Sequence, residues 1–462
     1  MDKVIMPKAA YEALMEQIST LQATVERLQA LLKEKDQIIL NLNRARFGQS
    51  SEKRTYLLSD GQLSMFEQAG EGIKEKATEE APAAEKKEVA VGAHTRKPKR
   101  SMEGLTGKAD IRRPAAPAPL LPHSYASASV VTDIIVKKYA DALPLYRQEQ
   151  MWKRLKVDLK RSTMANWVIQ TAETYLKPFN EAYRQELLRQ PVIHADETVL
   201  QVNKEPGRDA TAGSRIWAYA SSKRAERQIR YFRYEESRKG ACAGKTLGGY
   251  TGVVVSDGYS GYNVLNGTIR AGCWAHARRK WVEAMPKGVT QENALAAKGL
   301  DYCSKLFEVE QKLENLSDAE RREQRRLQSR PIVEAYYAWL QAIFKPTGKL
   351  KKAITYSLNQ REYLCAFLDH GEIEISNNQV ENAIRPIVVG RKNWLFCDTQ
   401  AGAEASVMIF TMLETAKANG LNPETYPNHI LTVLPDRFAQ DPKAPIDDLL
   451  PWAADIHRQF AL

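Results

Sequence analysis

A block of β-strand patterns between about residues 191 and 281 constrains the fold of this chain most, because helical patterns flank it on both sides. Three strand-like segments come first, and two more follow after the short segment GKTLGG, which reads as a helical link. The five segments are PVIHADETVLQV, SRIWAYASS, QIRYFRYEE, YTGVVVSDGYSGYN and TIRAGCWAHARRKW. The pattern predicts an α/β domain.

Helical patterns resume after this block. A capping box at Ser317-x-x-Glu320 and an apolar stripe predict an all-helical insertion, and a last helical pair follows with Gly420 as a C′ residue. The strand order predicts a ribonuclease-H-like core that the insertion interrupts. The expected boundaries are 190–284 for the first part of the core, 285–370 for the insertion, 371–436 for the second part with the C-terminal helices, and 437–462 for a C-terminal tail.

The N-terminal segment carries an a/d heptad pattern. From Tyr11 the apolar residues follow steps of three and four, and only Lys35 breaks the series: Leu14, Ile18, Leu21, Val25, Leu28, Leu32, Ile39 and Leu42. A seam of this length is typical of a helix that pairs with another, so we expect a coiled coil over 8–45 and a homo-oligomer. Packing of the helix against the chain's own body is the alternative.

The segment that follows is poor in apolar residues. Stretches such as EKATEEAPAAEKKE and IRRPAAPAPLLP cannot bury enough apolar surface to order themselves, so 46–122 is predicted to be a basic, Pro-rich and mostly disordered linker. Residues 94–113 within it are rich in Lys and Arg, as a tract that contacts DNA phosphates would be. A merely solvated linker is the alternative.

Residues 123–185 read as helices, with a break at 156–158 and a possible N-cap at Ser162. Two short helices across a tight turn predict a helix-turn-helix-like DNA-binding region, with a recognition helix around 162–170. An ordinary helical hairpin is the alternative, because five apolar residues could equally form its core: Trp152, Leu155, Leu159, Trp167 and Val168.

Charge favours a polyanionic partner, since 67 Lys and Arg exceed 56 Asp and Glu for a net charge of +11. A solvated basic surface is the alternative, so local clusters must support this interpretation. The candidate DNA-contacting residues are Arg147, Lys153, Arg154, Lys160 and Arg161 in the helical region, with Arg278, Arg279, Arg385, Arg391 and Lys392 further along.

The five cysteines are scattered without a C-x-x-C pair, which argues against a disulfide framework and a four-cysteine zinc site. Cys273 and His276 have C-x-x-H spacing, but a structural zinc needs four ligands and no second pair is near. A packed cysteine and a hydrogen-bonded or DNA-facing histidine are expected. No apolar run reaches the ~20 residues of a membrane span and the start is polar, so a cytoplasmic location without membrane contact is predicted.

Three acidic residues occupy positions suited to metal binding. Asp196 places a charge inside the otherwise apolar first strand, and a buried carboxylate is costly unless a metal or partner neutralises it. Asp257 follows the apolar run 252–255, so it is predicted at the carboxyl end of a buried strand. Glu381 lies in the opening turns of a helix capped by Ser376, Asn377 or Asn378.

Carboxylates are the ligands that Mg²⁺ prefers, and two such ions ~3.5–4 Å apart can activate a nucleophile and neutralise a leaving oxygen in phosphodiester chemistry. For any single acid, a turn or capping role is the commoner one. The arrangement of the three, on the first strand, after the fourth and on a helix beyond the insertion, favours the catalytic interpretation.

Several segments, in order along most of the chain, resemble the insertion sequence 66 family of transposases. They are FGQSSEK, LPLYRQEQMWKRLKVDLKRSTMANWV, IHADET, VSDGYSGYN, CWAHARRKW, SNNQVENAIRPIVVGRKNWLF and ETAKANGLNPETY. The resemblance implies a DDE transposase on a ribonuclease-H-like fold. Its catalytic and metal-binding residues would be Asp196, Asp257 and Glu381, its cofactor Mg²⁺ or Mn²⁺, and its partner the double-stranded DNA of element ends and target.

One departure from the family pattern affects these expectations. Members typically carry a cysteine-rich zinc-binding module between the basic linker and the segment PAPLLPHSYASASVV, and here no cysteine precedes Cys242. No zinc is therefore expected, while accessory proteins encoded by the same element remain a possible partner. The alternative function is a catalytically idle DNA-binding and oligomerising product of a defective element that acts as a repressor.

Overall fold

The computed structural model of the chain describes residues 118–285 and 295–462. The predicted coiled coil and the linker as far as residue 117 lie outside these ranges. The end of the predicted linker, residues 118–122, is inside them and packs against the domain that follows. Leu120 and Leu121 are buried, and Tyr175 donates a hydrogen bond of 2.7 Å from its hydroxyl to the Leu120 carbonyl.

Seven strands lie in the described residues: β1 (Val192–Leu200), β2 (Val202–Lys204), β3 (Ser214–Ser221), β4 (Arg230–Glu235), β5 (Val253–Ser256), β6 (Ile269–Gly272) and β7 (Cys397–Thr399). Five of them form one sheet in the order β4-β3-β1-β5-β6, and β2 pairs with β7. In the sheet β1, β3 and β4 are antiparallel neighbours, whereas β5 and β6 run parallel to β1. Every residue of β5 is buried, as expected for a parallel strand covered on both faces.

Each predicted segment contains a strand, but the last two segments are only partly strand. In the fourth, a 3-10 helix at Ser260–Val264 follows β5. Strand β6 ends at Gly272, and the remainder, CWAHARRKW, belongs to a helix. Its aromatic residues Trp274 and Trp281 are spaced seven residues apart, which suits one face of a helix, and both are fully buried.

From residue 118 onward, four helices precede the sheet: α1 (Ala128–Tyr139), α2 (Leu145–Arg154), α3 (Arg161–Thr171) and α4 (Lys177–Leu188), with a π-helical turn at Ala172–Leu176. The break predicted at 156–158 lies between α2 and α3. The predicted cap is wrong, because Lys160 occupies the N-cap of α3 and Ser162 is inside the helix. The predicted hairpin core is also incomplete, since Val168 is buried but Leu155 is 69% exposed.

Helix α5 (Gly240–Leu247) links β4 to β5, as GKTLGG predicted in part, and α6 (Trp274–Ala284) follows β6. The segment predicted to be an insertion contains α7 (Leu295–Lys312), α8 (Asp318–Gln324), α9 (Arg330–Ala342), α10 (Gly348–Asn359) and α11 (Arg361–Cys365). The capping box at Ser317 and Glu320 is confirmed. The insertion shares one core with the sheet, in which Trp281 donates a 2.9 Å hydrogen bond to the Tyr336 hydroxyl.

The chain returns to the sheet with α12 (Asn378–Trp394), and then forms α13 (Gln400–Ala418), α14 (Thr425–Gln440) and α15 (Ala454–Phe460). The expected C′ glycine, Gly420, has φ of +72°. Helix α13 covers the edge strand β4: its Thr411 and Thr415 hydroxyls accept hydrogen bonds from the N–H groups of Phe232 (3.0 Å) and Arg230 (3.1 Å). The sheet edge is therefore satisfied by side chains. Among the described helices, none has the length and apolar character needed to cross a bilayer.

Candidate active site

Asp196 and Asp257 stand at the same level of two neighbouring parallel strands. The last registered pair between β1 and β5 is His194 with Val255, and each aspartate lies two residues beyond its member of that pair. Because side chains alternate between the faces of a strand, residues two beyond a registered pair are placed toward the same face. The parallel pairing therefore brings both carboxylates to the carboxyl end of β5.

Asp196 lies in an environment that disfavours its negative charge. Burial raises the pKa of Asp196 well above its ordinary value, and the charges of Glu197, Asp257 and Glu381 raise it further. Only the hydrogen bond of 2.8 Å that it accepts from the Glu197 N–H works in the opposite direction. The charges of Glu197, Asp257 and Glu381 thus act on Asp196, as in many sites that hold cations. Within the described residues, however, Asp196 and Asp257 do not belong to a group of three ligand atoms lying within 4.8 Å of one another.

Glu381 reaches this cluster from α12. The helix begins after Asn377, one of the three predicted caps, and Glu381 lies in its first turn with 6% of its surface exposed. Its Oε2 is 3.3 Å from Arg279 Nη2 on α6. Arg385 lies one turn further along α12, but the partner of Glu381 is Arg279. The Nε of Arg385 is buried and has no hydrogen-bond partner among the described residues.

The Cys273 and His276 pair lies beside Glu381. Cys273 is the N-cap of α6 and His276 is in its first turn, and both contact residues at the start of α12. Ligand atoms of Cys273, His276 and Glu381 all lie within 4.8 Å of one another. Sequence reasoning missed this group because it sought a second pair of ligands nearby, whereas the third member is more than a hundred residues away.

A buried hydrogen-bond network fixes the start of α12 against β1. The Asn377 side chain donates a 2.9 Å hydrogen bond to the Ala195 carbonyl, and its backbone N–H donates one of 3.1 Å to Cys273 Sγ. Its Oδ1 lies 3.1 Å from His194 Nδ1, and the other ring nitrogen is 2.9 Å from Glu374 Oε2. Asn377 therefore connects the strand of Asp196, the helix of Cys273 and the helix of Glu381.

Glu197 is a second residue that sequence reasoning missed. It follows Asp196 in HADET, its side chain is 2% exposed, and it pairs with Arg238 at 2.5 Å. The Tyr262 hydroxyl donates a 3.0 Å hydrogen bond to its other oxygen. Burial raises the pKa of Glu197, although Arg238 opposes that effect. The acid that directly follows Asp196 in the HADET segment was the sequence feature that could have identified Glu197.

The ten candidate DNA-contacting residues lie in two parts of the fold. Arg147, Lys153, Arg154, Lys160 and Arg161 are all exposed on α2, α3 and the loop between them. The other five lie on α6 and α12, near the acidic cluster. Among these, Arg279 pairs with Glu381, and Arg391 donates a 3.3 Å hydrogen bond to Thr198 on β1. Arg278 and Arg385 are half-buried, whereas Lys392 is exposed.

The donor set at Asp196, Asp257 and Glu381 fits a hard divalent cation. All three offer carboxylate oxygens, and the Oε1 of Glu381 is buried with no hydrogen-bond partner in the ranges that the structure describes. A cation would supply the missing partner and relieve the repulsion that raises the pKa of Asp196.

Comparisons with known proteins agree on one family. The family described as "Transposase IS66 family" matches residues 123–405, which is more than half of the chain, and the "IS66 C-terminal element" matches residues 411–452. A third, "Transposase C of IS166 homeodomain", matches residues 36–105, outside the described ranges.

Relatives of the chain occur in Sinorhizobium fredii (strain NBRC 101917 / NGR234). The uncharacterized protein y4qI is 35% identical over 78% of this chain and 68% of its own length. The uncharacterized protein y4jD is 29% identical over 74% of this chain and 69% of its own length. The uncharacterized protein y4hP is 28% identical over 74% and 65%, respectively. No solved structure matches the chain.

Proposed function

This chain belongs to the IS66 family of transposases, and from that premise we propose that it is a DDE transposase that cleaves the ends of its insertion sequence and joins them to target DNA. The observation that carries the proposal is the parallel pairing of β1 with β5, which sets Asp196 level with Asp257, while Glu381 lies in the first turn of α12. Family membership supports DNA as the substrate, and the acidic cluster supports a metal-dependent reaction on its phosphodiester bonds.

The strand order supports a ribonuclease-H-like catalytic domain. Three antiparallel neighbours, β4, β3 and β1, are followed across the sheet by the parallel strands β5 and β6. In this order β1, which carries Asp196, is adjacent to β5, which ends just before Asp257. This adjacency is required to bring the two aspartates together. We propose that the domain extends over 190–284 and 371–436, and that 285–370 is its helical insertion.

Asp196, Asp257 and Glu381 would hold two Mg²⁺ or Mn²⁺ ions. When bound, these ions supply activation of a water or 3′-hydroxyl nucleophile and neutralisation of charge on the leaving oxygen. The chain's own residues hold the carboxylates in position: Arg279 fixes one oxygen of Glu381, and Asn377 ties the start of α12 to β1. Arg391 and Arg278 lie on the two helices that flank the cluster, where guanidinium groups can contact DNA phosphates.

DNA binding by the helical region is a separate part of the proposal. Five basic side chains are exposed on α2, α3 and their connecting loop, and α2 buries only Gln148. Because this helix contributes so little to the core, its surface is free to lie against a nucleic-acid backbone. Self-association through 8–45 would hold two element ends together, and proteins encoded by the same element are possible further partners.

A cleavage assay tests the proposal. End-labelled DNA carrying the inverted repeats that flank the element is incubated with the full-length protein, with Mg²⁺ and without it. We expect nicking at the repeat ends and joining to a target plasmid in the presence of Mg²⁺ only. Specific binding of the repeats without any cleavage in Mg²⁺ or Mn²⁺ would instead indicate the repressor, the function that the missing cysteine module favours.

A further inference from the structure

Cys273, His276 and Glu381 form a cluster whose chemistry differs from that of the three acids. A thiol, an imidazole and a carboxylate meet there, with ligand atoms within 4.8 Å of one another. Mg²⁺ and Ca²⁺ prefer oxygen ligands, whereas sulfur and nitrogen ligands favour Zn²⁺ and similar transition metals.

Two atoms of this cluster are buried and lack partners. Neither the Nδ1 of His276 nor the Oε1 of Glu381 has a hydrogen-bond partner within the described part of the chain, and the two atoms face each other at 3.6 Å. Arg279 contacts the other oxygen of Glu381, Oε2, at 3.3 Å, so Oε1 remains directed toward His276. Buried polar atoms in native proteins nearly always have a partner, and two that face each other indicate a ligand between them.

Cys273 is placed to serve as a metal ligand. It is fully buried at the N-cap of α6, and its sulfur accepts the Asn377 N–H at 3.1 Å. The backbone N–H groups of Ala275 and His276, at the start of α6, also form hydrogen bonds with this sulfur.

We propose that Cys273, His276 and Glu381 bind one Zn²⁺ ion, with water or a DNA oxygen as the fourth ligand. Typical distances of ~2.3 Å to sulfur and ~2.0–2.2 Å to nitrogen and oxygen require the three atoms to close by roughly 1 Å, which side-chain rotation can supply. A cysteine binds a metal ion as its thiolate, so Cys273 must lose its thiol proton on binding. Its proton passes to solvent as the sulfur–metal bond forms.

The site has a consequence for the activity, which rests on the proposed function. Glu381 would belong to both the zinc site and the proposed Mg²⁺ site, so bound Zn²⁺ would withdraw it from catalysis. Zinc is then an inhibitor that Mg²⁺ displaces poorly, because Mg²⁺ has little affinity for sulfur. The proposal replaces the expectation from the sequence that zinc is absent, since the fold supplies a third ligand.

Co²⁺ titration of the metal-free, full-length, reduced protein tests the site without DNA or activity. We expect one equivalent of Co²⁺ to produce a thiolate-to-metal charge-transfer band, which Zn²⁺ abolishes and excess Mg²⁺ does not. Cys273→Ser should lose the band, and His276→Gln should weaken Co²⁺ binding by more than about tenfold. Cys303→Ser is the matched control, because Cys303 is equally buried on α7 and lies outside the cluster, and it should keep the band.

Either of two results overturns the proposal: no band in the wild-type protein, or a band that persists in Cys273→Ser. If Cys273→Ser fails to fold by circular dichroism, the affinity of His276→Gln decides, and wild-type affinity in that variant overturns the site. Asp257→Asn separates the two proposals, since it should lose cleavage and keep the band. In cleavage assays Cys273→Ser, measured against its own uninhibited rate, should need at least about tenfold more Zn²⁺ for half inhibition.

Discussion

His194 and Glu374 form a buried pair two residues from the acidic cluster, with His194 Nε2 2.9 Å from Glu374 Oε2. Glu374 also accepts hydrogen bonds from the Ser222 hydroxyl and from the Lys223 N–H at 3.0 Å. Burial opposes its ionisation, but His194, Ser222 and the Lys223 N–H together lower the pKa of Glu374 from 4.5 to about 2. The carboxylate is therefore charged in the folded protein, and it secures the segment that leads into α12.

This lowered pKa predicts a pH dependence of stability. A depressed folded-state pKa stabilises the protein above the ordinary value of 4.5, and that contribution is lost as the pH falls toward 2. Glu374→Gln should therefore lower the free energy of unfolding by up to roughly 3 kcal/mol near neutral pH. The difference from wild type should shrink below about pH 4.5. Urea unfolding between pH 3 and 7 measures it.

Glu372→Gln is the control for that experiment, because Glu372 lies in the same segment with a partly exposed side chain. This substitution should change the free energy of unfolding only slightly. A difference between wild type and Glu374→Gln that stayed constant across the pH range would contradict the assigned role of Glu374.

Asp257→Asn should abolish cleavage and strand transfer, with a loss of at least about a thousandfold, or ~4 kcal/mol of transition-state stabilisation. The amide keeps the shape of the side chain but removes one of the charges that would hold Mg²⁺. DNA binding should be nearly unchanged, because it depends on basic residues elsewhere. Single-turnover cleavage and gel-shift assays measure the two properties.

Asp301→Asn provides a matched charge change on α7, where Asp301 is exposed and paired with Lys305. It should cleave at the wild-type rate. Wild-type cleavage by Asp257→Asn would show that the acidic cluster is not the active site.

The exposed basic side chains of α2 predict a change in the salt dependence of DNA binding. Replacing Lys153 and Arg154 by Gln should reduce the slope of log K against log salt by about 2, one for each lost phosphate contact. Binding should weaken by similar factors for specific and random DNA, since phosphate contacts carry no sequence information. Fluorescence anisotropy over a range of salt concentrations measures this slope for specific and for random DNA.

Lys305 and Arg326 are exposed on the insertion and give a control of equal charge when both are changed to Gln. The control should keep the wild-type slope. If the slope of log K against log salt fell by the same amount in both double variants, net charge rather than the surface of α2 would account for binding.

The N-terminal heptads predict at least a dimer. Leu21→Glu with Leu28→Glu places charges in the a/d seam, so the mass measured by light scattering should fall to that of a single chain, as it should on deletion of residues 1–45. Replacing Gln22 and Gln29, which lie beside the seam, by Glu should leave the mass unchanged. An unaltered mass in the seam variant would mean that the heptads pack elsewhere.

The sequence alone predicted the features that depend on neighbouring residues. Alternating and continuous apolar runs predicted the strands, and Ser317 with Glu320 predicted a capping box that the structure contains. Asp257 could be placed at a strand end because four apolar residues and a glycine bracket it. These features depend on neighbours within a few residues, so periodicity and capping chemistry reveal them.

The tertiary structure decided the contacts between distant segments. Pairing of β1 with β5 set Asp196 level with Asp257, the packing of α6 against α12 gave Glu381 the partner Arg279 instead of Arg385, and the same packing brought Glu381 to Cys273 and His276. No local pattern encodes these choices. They follow from which strands are adjacent and which helix faces meet, and burial of the shared core fixes both only when the whole domain folds.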